Sequence, residues 1–280
     1  MPHIVVVGSL NQDLFAYVEH LPRRGETLHA RHSARQLGGK GFNQAVGIRR
    51  LGVDVDLVGA VGDDAAGETF VRTLDGFGIG RTGLRRLEGS TGLALITVDE
   101  GGENTIVLDP GVNHSLTPEM LDDSIAGADA VLVQGELRPE TTIRVMDMAK
   151  GLKVVNPAPA GLELSPAIAR ADVVVVNEGE ASDLGGTDRL RALGAATVVV
   201  TLGQRGSQID NTVIPAPRVV AVDSTGAGDA FCAALTVALV EGRPIDDSIA
   251  WANRAGAAAC LRHGSSEALP TRDEVDRLRF

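Results

Sequence analysis

Short runs of β-branched residues recur along the chain, and most are separated by segments with helical periodicity. That alternation confines the chain to few folds. Candidate strands are 4–7, 55–59, 130–134, 153–156, 173–176 and 197–201. Several are apolar on both faces, as strands in the middle of a parallel sheet are. Helical patterns occupy 43–51, 65–77, 141–150 and 188–193, and the longest are 229–241 and 245–261. The pattern predicts a layered α/β sandwich.

Two segments break the alternation. Residues 14–37 and 91–108 read as antiparallel β structure, the second turning at Glu100-Gly101-Gly102-Glu103. Small strands attached to a parallel sheet suit a cover over its ligand edge. With no low-complexity linker and no repeat, the expectation is one main domain, 1–280, with a β lid. Apolar residues make up 44% and charged residues 22% of the 280, which excludes disorder and coiled coil. The net charge of −11, with no basic cluster longer than Arg-Arg, argues against a nucleic-acid partner. The longest apolar run, 230–240, is short of the ~18 residues a membrane helix needs. The start MPHIVVVGSL lacks the pattern of a signal peptide. Cys232 and Cys260 sit among small apolar residues and suggest neither a disulfide nor a metal site. His29 and His32 read as surface or lid residues.

Three polar segments carry chemistry. In Val219-Val220-Ala221-Val222-Asp223-Ser224-Thr225-Gly226-Ala227-Gly228-Asp229, a predicted strand enters a glycine turn that opens a helix. N–H groups at such a helix start favour an anion. Asp229 beside them would repel a resting phosphate, which suits a proton acceptor; locally it also reads as a helix-start carboxylate. Leu37-Gly38-Gly39-Lys40-Gly41-Phe42-Asn43-Gln44 opens another helix around one of three lysines. It is not a P-loop, since Ala34 and Gly41 replace the required Gly and Ser/Thr. Gly8-Ser9-Leu10-Asn11-Gln12-Asp13 ends the first strand, and Asn11 and Asp13 alternate so as to point together at its carboxyl end. Weaker signals are Glu136, Asn177 with Glu180, and Thr201-Leu202-Gly203-Gln204-Arg205-Gly206, each also readable as a cap or turn. All follow strands.

Gly38-Gly39-Lys40-Gly41 together with Asp223-Ser224-Thr225-Gly226-Ala227-Gly228-Asp229 resembles the two signatures of the ribokinase-like (PfkB) sugar kinases. The likeness covers nearly the whole chain. Ser90-Thr91-Gly92, Gly102-Glu103-Asn104 and Asn156-Pro157-Ala158-Pro159-Ala160 resemble the family's ribose-specific branch. The resemblance implies a three-layer α/β/α sandwich with a mostly parallel central sheet and a small β-sheet lid. It implies an ATP-dependent kinase acting on a sugar's primary hydroxyl, D-ribose first, with fructokinase, 2-keto-3-deoxygluconate kinase and nucleoside kinase as alternatives.

By the same resemblance, Asp229 is the base, and Gly226, Ala227 and Gly228 form the anion hole. Asn11, Asp13, Gly39, Lys40, Asn43 and Glu136 match sugar-binding positions. Asn177, Thr201, Gly203, Gly206, Gly228 and Asn253 match ATP positions, with Glu180 linked indirectly to Mg²⁺. Asp223, Thr225, Ala259, Arg262, Gly264 and Ala268 match a monovalent-cation site, expected to take K⁺. The expected assembly is a homodimer through the β lid, in the cytoplasm. Two departures stand out. Phe42 replaces a usual small residue and threatens the sugar pocket, and Ala268 replaces a usual serine. A dinucleotide-binding dehydrogenase is excluded, because Phe231 stands where its third glycine would be.

Overall fold

The computed structural model describes residues 2–279. In chain order its elements are β1 (His3–Val7), β2 (Asn11–Tyr17), β3 (His32–Gly38), α1 (Lys40–Arg50), β4 (Asp54–Gly62), α2 (Ala65–Phe77), β5 (Leu84–Leu87), β6 (Gly92–Val98) and β7 (Asn104–Asp109). There follow α3 (Ser124–Gly127), β8 (Ala130–Gln134), α4 (Pro139–Met148), β9 (Leu152–Asn156), α5 (Ser165–Ile168), β10 (Val173–Asn177), α6 (Glu178–Asp183) and α7 (Thr187–Leu193). The chain finishes with β11 (Thr197–Thr201), β12 (Ser207–Ile209), β13 (Thr212–Ile214), α8 (Ala227–Val240), α9 (Ile245–Ala259) and α10 (Arg272–Arg277).

Nine strands form one sheet in the order β13-β12-β11-β10-β9-β8-β1-β4-β5. All are parallel except β12 and β13, which fold back antiparallel at one edge. Alternate residues divide the core into two layers. Ile4, Val6, Leu57, Leu132 and Val175 pack under α1, α2, α8 and α9, whereas Val5, Val7, Val133, Val155 and Val174 pack against α4 to α7. The sandwich is layered, as the apolar runs predict, and its three layers are those the resemblance implies. Register brings the polar strand ends side by side: Gln134 pairs with Asn156, and Asn177 with Thr201.

The second sheet has four strands in the order β3-β2-β6-β7. Its outer pairs, β2–β3 and β6–β7, are antiparallel as expected of the two segments, and β2 and β6 join them in parallel. Local hairpins join β6 to β7, whereas β2 and β6 meet only after a long excursion through the main sheet, so no turn dictates their direction. The sheet also starts earlier than position 14. Asn11 and Asp13 lie on β2, not at the end of the first strand of the main sheet.

Two further expectations are corrected. Residues 219–222 form no strand, and Val220 is 89% exposed. β-branched residues favour a strand only where a sheet edge receives them, and among the described residues no strand pairs with 219–222. Phe42 is fully buried and packs edge-on against Phe70, ring centroids 5.0 Å apart, so it fills the core beneath α1 and not the sugar pocket.

Candidate active site

Two helix starts meet at the carboxyl edge of the main sheet. α1 begins after Gly39, whose φ of +88° and close approach to Ser9 and Asn11 leave no room for a side chain. α8 begins after Gly226, at φ +76°, with no side chain capping it. The helices touch closely where Gly47 of α1 faces Ala233 of α8. Asn43 and Gln44 of the first turns of α1 thereby reach Asp229 of α8. Asn43 Nδ2 donates to one carboxylate oxygen at 2.9 Å and Gln44 Nε2 to the other at 2.9 Å.

One side of Asp229 opens on a pocket of about 140 Å³ lined by Lys40, Asn177, Glu180, Thr201, Gly226, Gly228 and Cys232, among others. Gly228 faces open space, and the Ala227 N–H donates to Ser224 O at 3.2 Å. Asn177 and Glu180 form a reciprocal capping box at the start of α6. Burial alone would depress the Lys40 ammonium, but the facing carboxylates of Asp229, Glu136 and Glu180 hold it above its usual range. Lys40, expected among the sugar positions, lines this pocket beside the uncapped helix start. Burial, and next the Asp229 charge, push the Cys232 thiol up, so it stays neutral.

Nearby, a cavity of about 290 Å³ is lined by Asn11, Asn113, Glu136, Arg138 and Leu108, among others. Asn113 Nδ2 donates to Asn11 Oδ1 at 2.8 Å and fixes that amide. Glu136 Oε2 accepts from the Ser9 hydroxyl, from Asn11 Nδ2 at 3.4 Å and from the Lys40 backbone at 3.2 Å. One carboxylate oxygen so joins β2, the β1–β2 turn and α1. Asp13 is buried against Gly38, and burial first, then Glu136 and Asp229, push its carboxyl up to about 7. Asn43 Oδ1 is buried without a hydrogen-bond partner among the described residues, an acceptor awaiting a donor.

Other predicted positions stand apart. Gly203 and Gly206 bracket the turn after β11, and the Asn253 amide on α9 is engaged by Ser207 and the carbonyls of Ile214 and Pro215. Asp223 ties two loops together, accepting from the Thr225 N–H at 2.9 Å and the Gly264 N–H at 3.1 Å. Burial raises that carboxyl, but hydrogen bonds from Thr225 and Gly264 outweigh it and hold Asp223 below its usual range. Ala259 and Ala268 are buried, while the Arg262 side chain pairs with Glu274 at 2.9 Å at the surface. The buried Gln36 Oε1 lies by Gly264 with no hydrogen-bond partner among the described residues. The same loop is tied to the small sheet, since the Ser265 and Ser266 hydroxyls both donate to Leu37 O, at 3.2 and 3.3 Å.

Sequence reasoning assigned no role to Ser9, Gln44, Asn113, Gln134 or Asn156. A signal existed for two of them: Gln134 closes an otherwise apolar strand, and Asn156 follows two buried valines at the end of another. A polar residue there, buried, needs a partner.

Comparison with known proteins agrees with this layout. The sequence profile described as "pfkB family carbohydrate kinase" matches residues 1–272. The chain is 35% identical to a ribokinase of Bacillus subtilis over 293 aligned positions, covering 99% of each. The ribokinase structure from Thermotoga maritima superposes with a TM-score of 0.92 at 31% identity, covering 99% of both chains. The Arabidopsis thaliana ribokinase complexed with ribose and ATP gives 0.87 at 30% identity, covering 99% of this chain and 98% of that one. With the profile spanning almost all of the sequence and the glycine-opened helices meeting at one carboxylate, the chain belongs to the pfkB family of carbohydrate kinases.

Proposed function

We propose that the chain transfers the γ-phosphoryl of ATP to the primary hydroxyl of a small sugar, D-ribose in preference to others, giving D-ribose 5-phosphate. The observation that carries this reading is the position of Asp229, between a lysine-lined pocket at an uncapped helix start and a cluster of buried amides and carboxylates. Asp229 accepts the hydroxyl proton as the sugar oxygen bonds to phosphorus and the β,γ-bridging bond breaks towards ADP. The N–H groups opening α8, with Lys40, stabilise the charge gathering on the transferred group. Asn11, Asp13, Asn43 and Glu136 hold the sugar; a buried polar site discriminates strongly against analogues that leave its groups unpaired.

Glu180, in the same pocket as Asp229, suits a Mg²⁺ held mostly by nucleotide phosphates and water, as that ion is in most kinases. Magnesium supplies charge neutralisation on the phosphates. The orphaned Gln36 oxygen beside Gly264, together with the Asp223 carboxylate, fits a monovalent cation, K⁺, near the start of α8. Asn177, Thr201, Gly203 and Gly206 hold the nucleotide along the strand ends, and Asn253 supports that wall. The small sheet, expected over 14–37 and 91–108, acts as a lid within one kinase domain and keeps water from the phosphoryl group. It also forms a homodimer contact. Leu14, Leu95 and Val107 lie in register across β2, β6 and β7 on one face, and both faces of β7 are exposed. We assign the enzyme to the cytoplasm, where ATP is supplied and the two unpaired cysteines stay reduced.

A coupled ADP-release assay with D-ribose, 2-deoxyribose, fructose, 2-keto-3-deoxygluconate and adenosine tests the reading. The highest kcat/KM is expected for ribose. A preference for fructose or adenosine overturns the sugar assignment, and no ADP release with any acceptor overturns the kinase.

A further inference from the structure

Three buried amides back the Asp229 carboxylate, and each comes from a different element. Gln44 of α1 is fully buried and donates through Nε2 to Asp229 Oδ1 at 2.9 Å and to Asn156 Oδ1 at 3.3 Å. Its Oε1 accepts from Gln134 Nε2 at 2.7 Å. Asn156 in turn donates to the backbone carbonyl of Val175 at 3.0 Å. Both ends of this chain are chemically unambiguous. A main-chain carbonyl only accepts, so the Asn156 oxygen must face Gln44. An ionised carboxylate likewise only accepts, so the Gln44 nitrogen must face Asp229 and its oxygen must face Gln134. Gln134 cannot swing away, because its Oε1 is packed on Gly8, where a Cβ would fall 2.0 Å from it. The amide orientations are all fixed by the ends of β8, β9 and β10.

We propose that Gln44 is a positioning residue for phosphoryl transfer, holding the Asp229 carboxylate at one rotation, and that Gln134 acts through Gln44 by preventing its amide from flipping. The inference rests on Asp229 as the base. Neither glutamine lines the two cavities, so their effect falls on the orientation of the base and not on sugar contacts. Asn43, which holds the other oxygen, is different: its own Oδ1 is left without a hydrogen-bond partner among the described residues, and the proposed function gives it to the sugar.

The test is a double-mutant cycle on the full chain with Gln44→Met and Gln134→Leu, reading kcat and the equilibrium affinity for D-ribose. Gln44→Met should lower kcat about 10- to 100-fold, the range for losing a group that orients a reacting one, with sugar affinity within about threefold. Gln134→Leu should cost less, and the double variant should be no slower than Gln44→Met alone, because the second residue works only through the first. Gln44→Glu keeps the shape and the bond from Gln134 but presents an acceptor to Asp229. It should lose at least as much kcat as Gln44→Met, and it serves where the latter does not fold. A folded Gln44 variant with kcat within about threefold of the parent overturns the inference. So does an equal loss in sugar affinity, or losses that multiply in the double variant. Asp229→Asn is run beside them. If that variant keeps its kcat, the base assignment itself fails; if it is inactive while the Gln44 variants are not, only the positioning role fails.

Discussion

Asp229 sits where Asp13 and Lys40 also bear on it, so its chemistry depends on which neighbours are charged. Replacing it by Asn keeps the shape and removes the proton acceptor. We expect kcat to fall ~10²- to 10⁴-fold, the range for general-base catalysis, while isothermal titration still detects sugar and ATP binding. Asp13 makes the site pH-dependent. With its carboxyl pushed up to about 7, it is mostly neutral below that pH, donating from one oxygen, and accepts at both oxygens above it. The sugar KM should therefore fall as pH rises from 6 to 8, and Asp13→Asn should flatten that dependence. Stability of the sugar-free protein moves the other way. A folded-state value above the unfolded one means stability present at low pH is lost as pH climbs from about 4 through about 7. Thermal melting of wild type and Asp13→Asn across that window measures it. Phe42→Ala, by contrast, is a core change. It should destabilise by about 3–5 kcal/mol and leave the ranking of sugars unaltered, as denaturant unfolding and the acceptor panel would record.

Elements made mostly of local signals were legible in the sequence. β8, β11 and α2 fall at their expected bounds, because an all-apolar run or an amphipathic repeat between turn residues needs no distant information. The Asn177–Glu180 spacing is also a local signature, and it appears as a capping box. What depended on distant partners was not legible. The parallel β2–β6 pairing joins strands some eighty positions apart, and Val219–Val222 lacks the neighbour that would make it a strand. The same holds in the site: glycines and carboxylates announced themselves, whereas Gln134 and Asn156 showed only as polar residues closing strands and Gln44 not at all, since a lone Gln in a helix says nothing of what it touches. One non-local link is testable at this scale. Ser265 and Ser266 fasten the loop proposed to hold the cation to Leu37, immediately before the glycines that open α1. Exchanging K⁺ for Na⁺ should lower kcat in the parent chain and also raise its sugar KM. Ser265→Ala with Ser266→Ala should uncouple the second effect from the first, and steady-state kinetics in the two salts separates them.

At the scale of the whole molecule, the main sheet provides one edge of the site and β2 of the small sheet brings Asn11 and Asp13 to it. The proposed dimer contact should appear in sedimentation equilibrium as a two-chain species, and Leu95→Glu should shift it to one chain. The proposed contact has a further consequence. β2 carries Asn11 and Asp13 at one end, and Leu14 of the same strand lies in the exposed apolar row. In the proposed dimer, holding that strand at its outer face would steady its inner one, so association and sugar binding would draw on the same ordering. Thermodynamic linkage then makes them reciprocal: whatever factor association adds to sugar affinity, sugar adds to association. Dilution alone should weaken the enzyme's hold on its sugar, and saturating sugar should keep the pair together at concentrations where the empty chains part.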